Sequence, residues 1–429
     1  MLHSWIGRVQ LTGLALIILC VSLLPYRYLP IEHPVGLFFR FFPLCVVLLL
    51  GALMPLGKAA LVQLWKTDPF AVPILSVLSV DVLSALGGIQ LYQSIGKTTY
   101  FFLTGPLIYV LVRWMINEYP HRKVALLWLI SSSSALAAAY GISEFWVGGN
   151  WLFGAYFDQG NSSYSAMVGQ VIFVNRIMGP IGHPVVFAAF LLLTLPVSVF
   201  LAQQHRKLKR WLGISASILV ASALFLTLSR GAWIGLLAAV LFYCIYRNKR
   251  LLVIVFLSLG ILGVGISKSE KLSPLVGARI SSYGEFVQNF RNNPRVIAYS
   301  HVARILPQRI YLGSGIGTYH LLARPLGSQL NTPDNMYLMR LAETGLIGLM
   351  VWVFLFTRIA SVLLNYSKIE RAHVNRGGDF SILLLAGLVG FSFDMLTFDA
   401  LYFPVTRIMF WILVGIGCSS ISSKGLKCV

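Results

Sequence analysis

Charge is what this sequence has least of. Only 11% of its 429 residues are Asp, Glu, Lys or Arg, against about 25% in an ordinary soluble domain. So few charges cannot coat a water-soluble globule of this length, so a soluble enzyme is excluded. Acid is scarcest: 14 Asp and Glu stand against 34 Lys and Arg, a formal net charge of +20. Cysteine is also sparse, with Cys20, Cys45, Cys244, Cys418 and Cys428 alone. None forms a CxxC pair, the first four lie in apolar runs, and Cys428 is misplaced for a prenylation box. A disulfide framework and a cysteine metal site are thereby excluded. The composition also excludes collagen-like and disordered chains, and no convincing internal repeat or low-complexity tract is present.

Apolar sequence is abundant instead, at 57% hydrophobic and 13% aromatic. A helix crosses the hydrocarbon in about 20 apolar residues. Twelve runs qualify: 10–29, 35–56, 70–90, 99–117, 124–147, 184–203, 211–229, 231–247, 250–267, 343–365, 380–398 and 403–421. The expected fold class is all-α, a polytopic membrane protein with about 12 transmembrane helices. The run at 70–90 is the weakest because Asp81 sits inside it. The first follows Arg8 as a signal peptide would, but it lacks a small-x-small cleavage site and reads as an uncleaved helix.

On a soluble protein a charge of +20 would suggest nucleic acid. On a membrane protein basic residues report topology first, and no nucleic-acid partner is expected. With the N-terminus in the cytoplasm, the cytoplasmic segments hold about 17 Lys and Arg, from Arg8 through the Arg206–Arg210 cluster to Lys427. The outer loops other than the longest hold only Arg27, Lys97, Arg176 and Arg230. This bias predicts that both termini are cytoplasmic. Helices 1–5 then occupy residues 1–147, an outer loop 148–183, helices 6–9 residues 184–267, a large outer loop 268–342 before helix 10, and helices 10–12 with a cytoplasmic tail 343–429. The large loop is rich in arginine, including Arg295, Arg304 and Arg340, against Glu270, Glu285 and Asp334. It calls for an anionic partner. From Pro294 to Pro307 its pattern fits an amphipathic helix.

Several residues could carry chemistry. Arg230, in Ser229-Arg230-Gly231-Ala232-Trp233, sits at the outer membrane boundary. It is either an interfacial anchor or a planar fork for phosphate oxygens. Arg176 lies in a stretch stiffened by two Gly and two Pro that ends in Gly182-His183-Pro184. His183 reads more readily as a capping or buried histidine than as a catalyst. The densest constellation is Pro333-Asp334-Asn335-Met336-Tyr337-Leu338-Met339-Arg340 followed by Leu341-Ala342-Glu343-Thr344-Gly345. It reads as a helix start. Asp334 is an N-cap, a carboxylate placed to take a proton, or both. Glu343 reads as a buried partner for an arginine. Gly313-Ser314-Gly315-Ile316-Gly317 superficially matches a dinucleotide fingerprint, but no βαβ pattern surrounds it. It reads as a turn, plain or one that brings N–H groups near a ligand. Arg40, Asp81, Asp394 and Asp399 are the remaining polar groups near the bilayer.

Three segments together resemble the O-antigen ligase and O-antigen polymerase superfamily. They are Ser229-Arg230-Gly231-Ala232-Trp233; Arg295 leading through a helix to Leu312-Gly313-Ser314-Gly315-Ile316-Gly317-Thr318-Tyr319; and Asp334-Asn335-Met336-Tyr337-Leu338 with Leu341-Ala342-Glu343-Thr344-Gly345-Leu346-Ile347-Gly348. Arg176 with Gly182-His183-Pro184 looks like a fourth element. The resemblance is specific from about 170 to 360. It implies a fold related to type C glycosyltransferases in the bacterial cytoplasmic membrane, with a site facing outward and no cofactor and no metal. The implied donor is an undecaprenyl-diphosphate-linked oligosaccharide and the acceptor a glycan or lipid-glycan, with a flippase and a chain-length regulator as candidate partners. Arginines matching Arg230 and Arg295 would hold the diphosphate. In the ligases a histidine stands where this chain has Asp334. That departure tilts the reading toward a polymerase of O-antigen, capsule or exopolysaccharide.

The expected catalytic residues are thus Asp334, Arg230 and Arg295, with Arg176, Arg304, Asn335, Tyr337, Arg340 and His183 as substrate-binding candidates. Ligation to lipid A core is the alternative within the family. A transporter or flippase for an anionic lipid-linked substrate is the rival of another class, but it would require related halves or a mid-membrane broken-helix pair.

Overall fold

The computed structural model of the chain describes residues 2–24, 68–149, 151–152, 176–203, 206–247, isolated positions within 268–277, 293–328, 330–373 and 379–419. All regular structure among them is helical. The helices are α1 Leu2–Leu23, α2 Ala71–Leu86, α3 Leu91–Leu103, α4 Pro106–Glu118, α5 Arg122–Val147, α6 Pro184–Leu201, α7 Lys207–Leu226, α8 Arg230–Arg247, α9 Pro294–Ile305, α10 Tyr319–Ala323, α11 Met336–His373, α12 Phe380–Asp394 and α13 Pro404–Cys418. Ten of the predicted spans coincide with these helices. The runs at 35–56 and 250–267 lie outside the described residues. Among the described residues, six helical stretches could cross a membrane by length and composition, and four shorter apolar helices accompany them.

Local sequence sets the boundaries. The run at 99–117 is not one uninterrupted helix: α3 stops at Leu103 and α4 restarts at Pro106. Pro106 carries no N–H and suits a first helical position. At Gly105 a Cβ would stand 2.7 Å from the Phe101 carbonyl and 2.8 Å from Trp411 Nε1. The helix expected from Pro294 to Pro307 is α9, though its apolar residues are only weakly sorted to one face; it is capped by Asn293, whose Oδ1 accepts from the Arg295 amide at 3.0 Å.

α6 is almost wholly buried and touches α5, α7, α12 and α13. α8 packs along α12 through glycine: a Cβ on Gly235 would be 2.5 Å from the Gly390 carbonyl. Small residues permit such backbone approach where no hydrophobic force drives helices together. α2 lies against α11, α4 against α13, and α1 against α5. Two pairs of buried charges meet inside the bundle: Arg113 with Asp68 at 2.8 Å, and Arg340 with Asp81 at 2.6 Å. The acid that weakened the span at 70–90 is therefore matched by an arginine 259 residues away.

α11 is kinked at Gly345 (φ 67, ψ −170). The break leaves carbonyls and amides that need partners, and the glycine-rich loop supplies them. Ser314 and Gly315 amides donate to the carbonyls of Ala342 and Glu343 at 3.0 and 2.9 Å. The Leu346 amide donates to the Ile310 carbonyl at 2.8 Å, and the Ser84 hydroxyl donates to the Glu343 carbonyl at 2.6 Å. Gly313, Gly315 and Gly345 all have positive φ, and a Cβ on Gly313 would come within 2.3 Å of Glu343 backbone. Two of the loop's N–H groups are thus committed to α11, while the Gly313 amide donates to the Arg309 carbonyl at 2.9 Å and the Gly317 amide to the Tyr402 hydroxyl at 3.2 Å. Of the two readings of Gly313–Gly317, a plain turn fits these bonds better than a turn offering its N–H groups to a ligand.

Candidate functional site

Six of the predicted residues, Arg176, Arg230, Arg295, Asp334, Asn335 and Tyr337, lie where α8 and α11 begin and α12 ends. α11 starts with Asn335, not Asp334, as its cap: Asn335 Oδ1 accepts from the amides of Tyr337 at 3.0 Å and Leu338 at 3.1 Å. Its amide nitrogen donates to the Leu396 carbonyl at 2.8 Å, and the Met336 amide donates to the Met395 carbonyl at 2.9 Å. Tyr337 continues this contact, its hydroxyl donating to the Ser392 carbonyl at 3.0 Å. Asn335 and Tyr337 therefore dock the head of α11 onto the end of α12.

Relieved of capping, Asp334 takes a left-handed backbone conformation (φ 48), one that Asp and Asn tolerate better than other non-glycine residues. Its Oδ2 accepts from Arg295 Nε at 3.1 Å, and Thr332 donates to Oδ1 at 3.5 Å. Both side chains of the ion pair reach the surface, 40% exposed for Arg295 and 28% for Asp334. Arg295 makes this contact through Nε.

Arg230 opens α8 and is exposed. The preceding turn is strained, with Leu228 at φ 52; strain of this kind concentrates at functional sites. Arg176 closes on the same turn, its Nε donating to the Thr227 carbonyl at 2.8 Å. Glu144 holds the next residues, its Oε2 accepting from the amides of Met178 and Gly179 at 2.8 and 2.9 Å. A Cβ on Gly231 would strike Thr397 Oγ1 and lie 2.8 Å from Asp394 Oδ1. The chain of contacts thus runs from Arg176 through the Arg230 turn and the 394–397 turn to Asn335, Asp334 and Arg295.

Asp394 stands in the middle of this chain. It is fully buried, neither carboxylate oxygen has a hydrogen-bond partner among the described residues, and the charge of Arg295 acts on it. The sequence shows it only as one of several acids near the bilayer. Its setting among the arginines depends on the fold.

The other candidates fall into different places. His183 caps α6, its Nδ1 accepting from the Val186 amide at 3.4 Å, and it stacks with Phe398 at 6.2 Å. This agrees with the capping reading of that histidine. Arg304 is exposed in the last turn of α9. Arg340 is 4% exposed and turned toward Asp81, away from Asp334's ion pair. Glu343 is also buried, but its carboxylate accepts from the Tyr402 hydroxyl and, at 3.4 Å, from the Tyr319 amide rather than from an arginine. Burial and the charge of Arg324 hold the His320 imidazole below its ordinary pKa. Burial and Arg304 do the same for His301. Among the described residues, no three His, Cys, Asp or Glu side chains gather as a metal site would require.

Residues 215–353 match the model of a family described as O-antigen ligase. No curated protein matches the chain. The matched stretch holds Arg230, Arg295, Arg304, Asp334, Asn335, Tyr337 and Arg340 and agrees with the resemblance carried by the motifs. A match to that family points to a glycan-transferring membrane enzyme of the ligase and polymerase type.

Proposed function

We propose that this chain, as a carrier of an O-antigen ligase domain, is a metal-independent inverting glycosyltransferase acting at the outer face of the bacterial cytoplasmic membrane. Its donor is a glycan on undecaprenyl diphosphate, and its product is a longer O-antigen, capsule or exopolysaccharide chain. The observation that carries the reading is the Arg295–Asp334 pair at the head of α11, 3.1 Å apart, joined by contacts to the Arg230 turn.

Cleaving the anomeric C–O bond leaves negative charge on the diphosphate, which preorganised cations stabilise. Arg230 and the terminal nitrogens of Arg295 supply planar forks for the phosphate oxygens, with Arg176 behind them on the Thr227 carbonyl. The acceptor hydroxyl attacks the opposite face of the sugar. Asp334 orients that hydroxyl and takes its proton as the new bond forms. Such help contributes about 10²–10⁴ in rate. Asp is a weak base, and it suffices where the transition state is oxocarbenium-like, as in glycoside chemistry.

Transfer to lipid A core is the second reading, favoured by the description of the matched family. Incubating purified protein with a lipid-linked repeat unit and sizing the products separates the two. A ladder of repeats supports the polymerase. Transfer to an added lipid A core, without a ladder, supports the ligase. Neither product would sink both.

A further inference from the structure

Glu144 is a buried acid that no sequence motif marks. It stands one turn from the end of α5 and is 4% exposed. Its Oε2 accepts from two successive amides of one loop, Met178 at 2.8 Å and Gly179 at 2.9 Å. An ionised acceptor makes such bonds about twice as strong as neutral ones. Glycine shapes the approach from both sides. Gly141 lies one turn before Glu144 on the same face of α5, and a Cβ there would stand 3.2 Å from Ile177 Cδ1 and 2.8 Å from the Phe187 ring. Gly179 has φ 58, and a Cβ on it would come within 2.6 Å of that ring. Residues 177–179 are therefore pressed between α5 and α6, with the carboxylate closed over their amides.

This loop carries Arg176, two residues before the first of those amides. Arg176 Nε donates to the Thr227 carbonyl at 2.8 Å. Thr227 adjoins Leu228, whose φ of 52 is a conformation that a leucine holds only under constraint, and α8 opens with Arg230 immediately beyond. The contacts form one series. Glu144 fixes the amides of 178 and 179, these fix the backbone from which Arg176 extends, and Arg176 holds the carbonyl before the strained turn that presents Arg230.

We infer that Glu144 is a positioning residue, which sets Arg176 and the Arg230 turn at the spacing the donor diphosphate requires. The inference rests on the reading of Arg230 as a ligand of that diphosphate. One carboxylate oxygen fastens both amides at once, so its loss frees the whole loop. Displacements of about 1 Å far from the reacting atoms can cost about 10²-fold in rate, so a remote acid at this place governs the site without touching substrate.

The test is binding of radiolabelled undecaprenyl diphosphate to the full-length protein in phosphatidylcholine nanodiscs, with a thermal melt of each sample. Glu144→Gln keeps an oxygen for both amides and should bind close to wild type. Glu144→Leu removes the acceptor and should weaken binding, per mole of folded protein, about tenfold, the worth of one charge-assisted contact. Arg230→Ala should weaken it as well, and Glu144→Leu/Arg230→Ala should bind little worse than Arg230→Ala alone, because the acid acts through that turn. If Glu144→Leu does not fold, Glu144→Asp, which keeps the charge but shortens the reach by one methylene, takes its place with the same expectation. Wild-type binding by Glu144→Leu, with a lowered melt and with Arg230→Ala impaired, would make the acid a purely structural clasp and overturn the inference alone. Fully additive losses in the double variant would overturn it too, as would a Glu144→Gln no better than Glu144→Leu. Wild-type binding by Arg230→Ala would sink the diphosphate reading and the inference together.

Discussion

Asp334→Asn separates chemistry from structure at one position. Asparagine keeps the shape of the side chain and is at home at a φ of 48. The helix cap is untouched, because Asn335 supplies it. What is lost is the ion pair with Arg295, whose partners are 40% and 28% exposed. Pairs this exposed contribute about 0–1 kcal/mol, so the variant should insert and unfold within about 1 kcal/mol of wild type. The loss of a proton acceptor should slow turnover about 10²-fold or more, a barrier increase of about 2.7 kcal/mol. The two effects differ enough to be told apart. The assay is polymer or transfer product per mole of purified variant, beside a thermal melt of the same sample. Asp334→Ala is the contrast, since alanine adds a left-handed backbone penalty of about 1–2 kcal/mol and should lower the melt as well. Full turnover by Asp334→Asn would refute the base assignment and move the search to His320, His183 or Glu343. Equal losses in melt and turnover would refute the claim that the position is not structural.

Arg230→Lys keeps the charge but not the bidentate fork, so product should fall severely at normal membrane abundance; near-normal activity even for Arg230→Ala would make the residue an interfacial anchor. Asn335→Ala removes the cap of α11 and should cost about 0.5–2 kcal/mol in a thermal melt, with activity falling less than for Asp334→Asn. Gly345→Ala would put a Cβ 2.3 Å from the Tyr311 carbonyl at a φ of 67, so the variant should be recovered poorly from membranes; normal yield would show that the kink is dispensable. In a cysteine-free background, an impermeant thiol reagent should label a cysteine at Ser328 from outside but not one at Lys209, and the reverse pattern would end the topology.

The helices are legible because the bilayer sets both their length and their composition. Even the interruption at Thr104–Gly105–Pro106 is written in the sequence, since a Gly-Pro step marks a break. The head of α11 was legible only to within a residue. Asp334 and Asn335 are both good caps, and only the backbone turn at Asp334 decides between them. The site arginines stand out because a charge near a membrane needs a reason. Their companions do not. Asp81 looks like a flaw in a span until Arg340 is placed against it. Asp394 resembles Asp399 until the fold sets it beside Gly231. The glycine loop misleads most, because residues that suit a phosphate cradle also suit a splice into a broken helix. The difference lies in Ala342 and Glu343, whose carbonyls are available only because Gly345 ends the first segment of α11.

That splice constrains how the protein is made. Residues 84–89, 310–315 and 342–347 complete one another's backbone, with the Ile89 amide also donating to the Ser314 carbonyl at 2.9 Å. The last of the three leaves the ribosome more than 250 residues after the first. Until then the groups at Ser84, Ile310, Tyr311, Ser314 and Gly315 that pair with 342–347 have no partner, and the end of α2 must wait at the membrane boundary, where water can satisfy them. The glycine loop therefore cannot acquire its shape during synthesis of its own segment. It closes late, when α11 enters beside α2, and an arrested chain ending near residue 330 should keep this loop open to protease while α6, α7 and α8 are already protected.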